Sequence, residues 1–303
     1  MTFPYDAVDL FSGAGGWAEG ARTLDLDTFG VELDKQAART ATAAGHRVLR
    51  GDVTLAPPSA FAGIPGLVAS PPCQAWSVAG PQRGAADRDA CLTLVDRMAD
   101  GDDSTDWTEW ADPRSPLAAQ PMRWVRQFRP RWVALEEVRA VMPLWDKIAD
   151  RLRDLGYSTW TGVLNAADYG VPQTRRRAVL VASLDRTVDR PTPTHEGRWV
   201  TMADALGPAG LPDWAHHRPA TTVVASFRPD VIAAPGWRTT IPRQHAPNSV
   251  TVTPEQAGVL QGFPANYPWQ GAKTTRFRQI GNAIPPPLAA AAIRACAPCG
   301  GSR

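Results

Sequence analysis

Three short stretches hold side chains able to do covalent or proton chemistry, and a fourth holds a backbone able to cradle a ligand. In "LVASPPCQAWS" an apolar run stops at Pro71-Pro72, and a thiol, Cys73, follows at once. The proline rings restrict the backbone ahead of the cysteine, so the sulfur is aimed rather than mobile. A thiolate in an exposed, polarised setting is a nucleophile. In "RWVALEEVRAVMP", Glu136 and Glu137 close an apolar strand, which delivers them to the same sheet edge as Cys73. A carboxyl group there can hand a proton to a ring nitrogen of a substrate. In "YGVPQTRRRAVLVAS", Gln173, Arg175 and Arg177 recur at the two-residue period of a strand. They share one face while Arg176 takes the other, a polar row suited to an anionic ligand.

The fourth stretch is "DLFSGAGGWAEG", in which residues 13–18 fit the pattern G-x-G-x-x-A. Its glycines allow close backbone approach to a nucleotide-like ligand. Glu32, at the end of the next strand, is spaced to accept hydrogen bonds from ribose hydroxyls. The loop by itself fits a nicotinamide dinucleotide and S-adenosylmethionine equally well.

The elements that must hold these groups alternate. "AVDL" runs into the glycine loop and the helical "WAEGARTL"; "DTFGVEL" precedes "KQAARTATAAG"; "HRVLRGDV" and "GLVAS" follow. Further on, "PMRWVRQFRP" reads as a helix, with "RWVALEEV" and "AVLVAS" as buried strands. Such alternation predicts an α/β fold, a parallel sheet with helices on both faces. Ligands in such sheets bind at the carboxyl ends of the strands, where Cys73 falls. From about residue 184 the texture changes to Pro, Gly, Trp and Arg with short pieces such as "TTVVASF", which predicts a small, irregular second domain. "TPEQAGVLQGFP" then reads as a capped helix, with Thr253 and Gln256 forming a capping box. "RFRQIGNAIPPPLAAAAIRACA" reads as a turn followed by an Ala-rich helix that prolines start.

Composition narrows the class. With 303 residues, 44% apolar and 20% charged, the chain has room for a sizeable core and describes a soluble globular protein. No apolar run can span a bilayer and the start lacks a signal-peptide layout, so no membrane association and a cytoplasmic location are expected. Residues 1–150 carry 15 Lys+Arg against 21 Asp+Glu, and residues 151–303 carry 17 against 9. A basic second half suits a polyanion such as nucleic acid. The acidic stretch 96–112 reads as a solvated surface insertion. Cys296 and Cys299 form a single CxxC without a second pair, so no metal site is expected.

Taken in order, these motifs resemble those of the DNA (cytosine-5) methyltransferase family across most of the chain. "DLFSGAGG", "VELD" and "GDV" resemble its first three cofactor motifs. "SPPCQAWS" resembles its nucleophile motif, "ALEEV" its Glu-Asn-Val and "QTRRRAVLVA" its Gln-x-Arg-x-Arg; "VTPEQAGVLQGFP" and "RQIGNAIPPPLA" resemble its last two. The resemblance implies a Rossmann-like S-adenosylmethionine-dependent methyltransferase fold with a small target-recognition domain. It implies that the Cys73 thiolate adds to carbon 6 of a flipped cytosine while Glu136 protonates or hydrogen-bonds N3. Arg175 would help hold the base, with Arg177 in support, and a mobile segment after the nucleophile would close over DNA. The cofactor would be held by Phe11, Ser12, Gly13, Gly15 and Gly16, with Glu32 at the ribose, Asp52 and Val53 at the adenine, and Pro72, Leu117 and Asn282 completing the site. Because Asn282 must return to that site, the catalytic domain would be discontinuous, 1–183 plus 272–303, around a recognition domain at 184–271. There His195, Arg198, His216, His217, Arg228, Arg238, Arg243 and Gln244 could reach phosphates or base edges.

Two departures stand out. The family's Glu-Asn-Val is Glu-Glu-Val here, and Glu137 cannot donate as an amide does unless it is protonated. The segment between "PQRG" and "DPRSPL" is longer and more acidic than the family's loop. The expected partner is double-stranded DNA, met by a monomer, with any restriction endonuclease counterpart encoded elsewhere. The alternatives are a tRNA cytosine-5 methyltransferase of the same fold, whose Cys-Phe-Thr signature is absent, and a non-catalytic DNA-binding homologue.

Overall fold

The computed structural model describes residues 4–76, 83–225, 228–236 and 245–298. Its centre is a strand with no exposed residue: β1 (Ala7–Leu10), whose side chains divide between two cores. The chain continues through α1 (Gly16–Arg22), β2 (Thr28–Glu32), α2 (Lys35–Ala43), β3 (Arg47–Arg50) and β4 (Gly66–Ala69). Next come α3 (Arg88–Asp100), α4 (Gln120–Phe128), β5 (Trp132–Val138), α5 (Met142–Asp154), β6 (Ser158–Asn165) and β7 (Arg176–Ser183). The seven strands lie in the order β3-β2-β1-β4-β5-β7-β6. The first five are parallel, whereas β7 runs antiparallel to both β5 and β6. The expected all-parallel sheet is therefore mixed. A short loop joins β6 to β7, and a connection that short can only reverse direction.

The strands bury both faces through the two-residue period. Val8, Leu10, Leu67, Leu135 and Leu180 meet Leu94, Met98, Trp124, Trp145 and Ile148 from α3, α4 and α5. Ala7, Val68, Ala134, Val179 and Val181 face the other way, toward α1 and the last helix, α10 (Pro286–Cys296). α1 and α10 approach so closely that a Cβ on Gly20 would lie 2.7 Å from Ala289 Cβ. This contact returns the C-terminal segment to the glycine loop.

Between β7 and α10 lie α6 (Met202–Leu206), α7 (Trp214–His217), the strand pair β8 (Val231–Ile232) and β9 (Val250–Thr251), α8 (Pro254–Leu260) and α9 (Lys273–Asn282). They share a third core that includes Met202, Val223, Leu260, Phe263, Tyr267 and Trp269, and Ala14 of the glycine loop joins it. The capping box at α8 forms as expected, with Thr253 and Gln256 bonding reciprocally. Residues 276–282, expected as a turn, are the end of α9. Gly281 sits in that helix because a Cβ would lie 2.4 Å from the backbone of Val224 and Ala225, so a packing glycine was read as a turn glycine.

The acidic stretch is largely exposed at the surface, as expected, but it is not loose. Residues 96–100 finish α3, and the rest is tied down. Asp102 pairs with Arg97 at 2.6 Å and Asp103 with Arg126 at 2.8 Å, while the amides of Ala111 and Asp112 donate to Asp87. Several of its carboxylates have partners within the domain, which anchor the segment to it. No helix among the described residues is long and apolar enough to cross a membrane.

Candidate active site

The carboxyl ends of β1, β4 and β5, the start of β7 and the end of α9 enclose a cavity of 870 Å³. Of the residues expected in the site, Phe11, Ser12, Gly13, Gly16, Glu32, Asp52, Val53, Pro72, Cys73, Leu117, Glu136, Arg175, Arg177 and Asn282 line it. Gly15 does not. It caps α1 with φ 97°, and its Cα faces His46 and Tyr267 on the far side of the loop.

The loop bends where β1 ends. Phe11 and Gly13 adopt left-handed φ values of 57°, and Gly13 turns its N–H to Glu32 Oε2 at 2.8 Å. The other Glu32 oxygen accepts from the Asp34 amide at 2.6 Å. Burial raises the Glu32 carboxyl above its usual range, and these amide bonds oppose that rise. In front of Gly13 a Cβ would meet nothing nearer than the Phe11 carbonyl at 3.9 Å, so the loop faces open cavity. Arg123 holds the adjoining wall by donating to the carbonyls of Val53 and Ala56.

On the opposite wall, β5 and β7 set three charged groups beside the thiol. Arg177 pairs with Val138 in the sheet register and its Nε lies 3.0 Å from Glu136 Oε1. The second oxygen of Glu136 accepts from Ser70 Oγ at 2.8 Å, and Ser70 in turn accepts from Trp17 Nε1 at 3.0 Å. Glu136 is thus fixed on both sides, by a cation from β7 and by a hydrogen-bonded chain from α1 through the turn after β4. Neither Trp17 nor Ser70 was expected in the site. The adjacent text, Trp17 after Gly16 and Ser70 before the prolines, was the available signal.

Arg175 lies nearby with a different task. It is 2% exposed and donates to the carbonyls of Val223, Gly281 and Ala283. Only its Nε lacks a partner. Burial, then the charge of Arg177, brings the guanidinium down to about 9. Gln173, fully buried, bonds to Val223, Leu260 and Gln261. These two members of the polar row staple the sheet to α8 and α9; Arg177 alone meets the carboxylate.

Cys73 opens a short turn after Pro72 and is half-buried. Burial pushes its thiol up to about 12, and a negative charge on Glu137 adds to that rise. Arg177 and Arg175 pull the other way. Burial thus opposes the thiolate, and two cations are placed to favour it. The segment expected to close over the ligand, residues 77–82, lies outside the described residues. Trp107 and Arg114, delivered by the tied-down acidic segment, also line the cavity.

The basic region expected to read nucleic acid is partly placed. Arg228 pairs with Asp230 and His217 with Asp213. His195 accepts from or donates to Thr194 through Nδ1, and Arg198 and His216 are exposed. Arg238, Arg243, Gln244 and Cys299 lie outside the described residues. Cys296 is buried in α10, its thiol directed to the carbonyls of Ala292 and Ile293.

A family model described as C-5 cytosine-specific DNA methylase matches residues 5–97, 106–209 and 220–297. The break between the first two spans falls in the acidic segment. Among curated proteins, the chain is 30% identical to Type II methyltransferase M.NaeI of Lentzea aerocolonigenes over 94% of its own length and 73% of the relative's. It is 25% identical to Type II methyltransferase M.NgoMIV of Neisseria gonorrhoeae, covering 96% of each chain. Among solved structures, a DNMT2 of Spodoptera frugiperda shares the fold with a TM-score of 0.68 at 13% identity, covering 96% of this chain and 98% of that one.

Proposed function

This chain belongs to the C-5 cytosine-specific DNA methylase family, and from that premise we propose that it methylates carbon 5 of a cytosine in duplex DNA, using S-adenosylmethionine and a covalent bond through Cys73. One observation carries the reading: a constrained thiol, an arginine-paired carboxylate and an open glycine loop with an acidic partner line one cavity.

The residues fit the cofactor. Glu32 borders the cavity with its carboxylate anchored by two amides, a suitable acceptor for ribose hydroxyls. Phe11, Val53 and Leu117 supply apolar wall for an adenine, Asp52, Pro72 and Asn282 border the same space, and Gly13 leaves room for the amino-acid end beside Ser12 and Gly16. When bound, S-adenosylmethionine supplies an electrophilic methyl group.

Carbon 5 of cytosine is too poor a nucleophile to take that group unaided, and the protein corrects this. The Cys73 thiolate forms a bond to carbon 6, while Glu136, oriented by Arg177 and Ser70, hydrogen-bonds or protonates N3. Carbon 5 thereby gains enamine character. After it carries the new methyl, loss of its proton breaks the bond from carbon 6 to sulfur and frees the enzyme. Arg177 serves twice, holding Glu136 and lowering the cost of the thiolate. Arg175 supports the cavity wall through its three carbonyl bonds. A base inside a duplex cannot reach Cys73, so the cytosine is flipped into the cavity.

The division into a catalytic part, 1–183 plus 272–303, and a recognition part, 184–271, is supported by α10 returning to α1, while the third core joins the two parts through Ala14, Phe277 and Ile280. Basic residues of the recognition part then track the DNA backbone. Labelled methyl transfer to duplex DNA, single-stranded DNA and tRNA tests the proposal. Incorporation into carbon 5 of cytosine in the duplex is expected; incorporation into tRNA alone, or none with any substrate, would refute it.

A further inference from the structure

Glu137 is a buried carboxyl group with almost nothing to stabilise a charge. In β5 it follows Glu136 and points to the opposite face, opposite Ala178 in the register. It is 2% exposed; one oxygen is met by the Val138 amide and the other, Oε1, has no partner. The nearby cations are committed elsewhere: Arg177 to Glu136, and the terminal nitrogens of Arg175 to three carbonyls. No ion pair to Glu137 exists among the described residues. A carboxylate removed from water without a counter-ion takes up a proton.

We propose that Glu137 carries a proton in the working enzyme and acts as a positioning residue for Cys73, so that turnover fails on the alkaline side when this proton leaves. The inference rests on the reading above that Cys73 is the nucleophile. Every charged group facing Glu137 bears on it. Glu136 on its own strand opposes its ionisation, and Arg177 from β7 and Arg175 just before it favour it. Across the cavity stands Cys73, with Arg114 beyond it. Burial, then the charge of Glu136, holds the Glu137 carboxyl well above its ordinary range. The two acids are linked: an ionised Glu137 opposes the Cys73 thiolate and a neutral one does not. Negative charge on sulfur is therefore less costly while Glu137 keeps its proton. As an acid, Glu137 also offers the O–H donor that a carboxylate lacks.

The test compares the full-length wild type with Glu137→Gln, which cannot ionise, and uses three readouts. In methyl transfer to duplex DNA, the pH profile of Glu137→Gln should lose the alkaline fall of the wild type. Alkylation of Cys73 by iodoacetamide without DNA should reach its midpoint at a lower pH in the variant. Infrared difference spectra at neutral pH, wild type minus variant, should contain the carbonyl stretch of a protonated carboxyl. Superimposable pH curves, or absence of that band, would overturn the inference. If Glu137→Gln fails to fold, Glu137→Asn supplies the same comparison. Alkylation and infrared readouts need no methyl transfer, so they separate failure here from failure of the proposed function.

Discussion

Arg177 Nε lies 3.0 Å from Glu136 Oε1 across the antiparallel strands β5 and β7, with the two side chains 13% and 4% exposed. The pair sits at the point where β7 reverses the direction of the sheet. A parallel strand would bring its opposite end to this edge, so the departure from an all-parallel sheet is what puts a cation beside the acid.

Replacing Glu136 by Gln keeps the shape and one acceptor but removes the acid and the ion pair. Turnover should fall by about a hundredfold or more. Cofactor affinity, measured by calorimetry, should hold. A large loss in Glu137→Gln with little in Glu136→Gln would mean that the two carboxyls have been assigned the wrong way round.

Arg177→Ala removes a charge that favours the Cys73 thiolate. The pH midpoint of Cys73 alkylation should rise, and each unit of rise costs about tenfold in thiolate at fixed pH. Arg177→Lys should recover part of the loss, since it restores charge without the planar fork. An unchanged alkylation curve in Arg177→Ala would separate this arginine from the nucleophile.

Ser70→Ala cuts the chain from Trp17 to Glu136 and leaves a buried indole N–H without its acceptor. Urea denaturation should show a loss of about 1–3 kcal/mol. The kinetic signature is a lower kcat with little change in the KM for cofactor, because Ser70 orients the acid.

Asp9 gives a test in stability. It is fully buried in β1, and neither carboxyl oxygen has a partner among the described residues. Burial, then the charge of Glu32, raises its carboxyl well above the ordinary range. The folded chain thus keeps a proton that the unfolded chain releases above about pH 4. The linked stability is complete below that pH and is lost as pH rises toward the folded value. Asp9→Asn should flatten the fall in melting temperature as the pH rises above about 4. Glu137 contributes with the same sign, so a residual slope should remain. An identical slope in Asp9→Asn would show that Asp9 is ionised.

The text of the chain revealed most of the site because its chemistry is local. Pro72-Cys73, the glycine loop and the strand-ending glutamates each occupy a few adjacent residues, and the two-residue period locates the sheet edge where they meet. What it concealed was relational. The links from Trp17 to Ser70 to Glu136 span three elements, and no spacing rule connects them. The same limit explains Arg175, whose place in a polar row suggested a ligand while three carbonyls from distant segments hold it. The acidic segment concealed its partners for the same reason: Arg97 and Arg126 pair with Asp102 and Asp103, and the Asp87 carboxylate accepts from the amides of Ala111 and Asp112, none of which a local spacing reveals.

A bond between the Cys73 sulfur and a pyrimidine is the central step of the proposed reaction. Duplex DNA carrying 5-fluorocytosine at the methylation site, incubated with enzyme and S-adenosylmethionine, should trap a denaturation-resistant complex. Peptide mass spectrometry should place that adduct on Cys73, and Cys73→Ser should form none. A wild-type enzyme that methylates unmodified DNA yet leaves Cys73 unmodified by the fluorinated duplex would contradict the account.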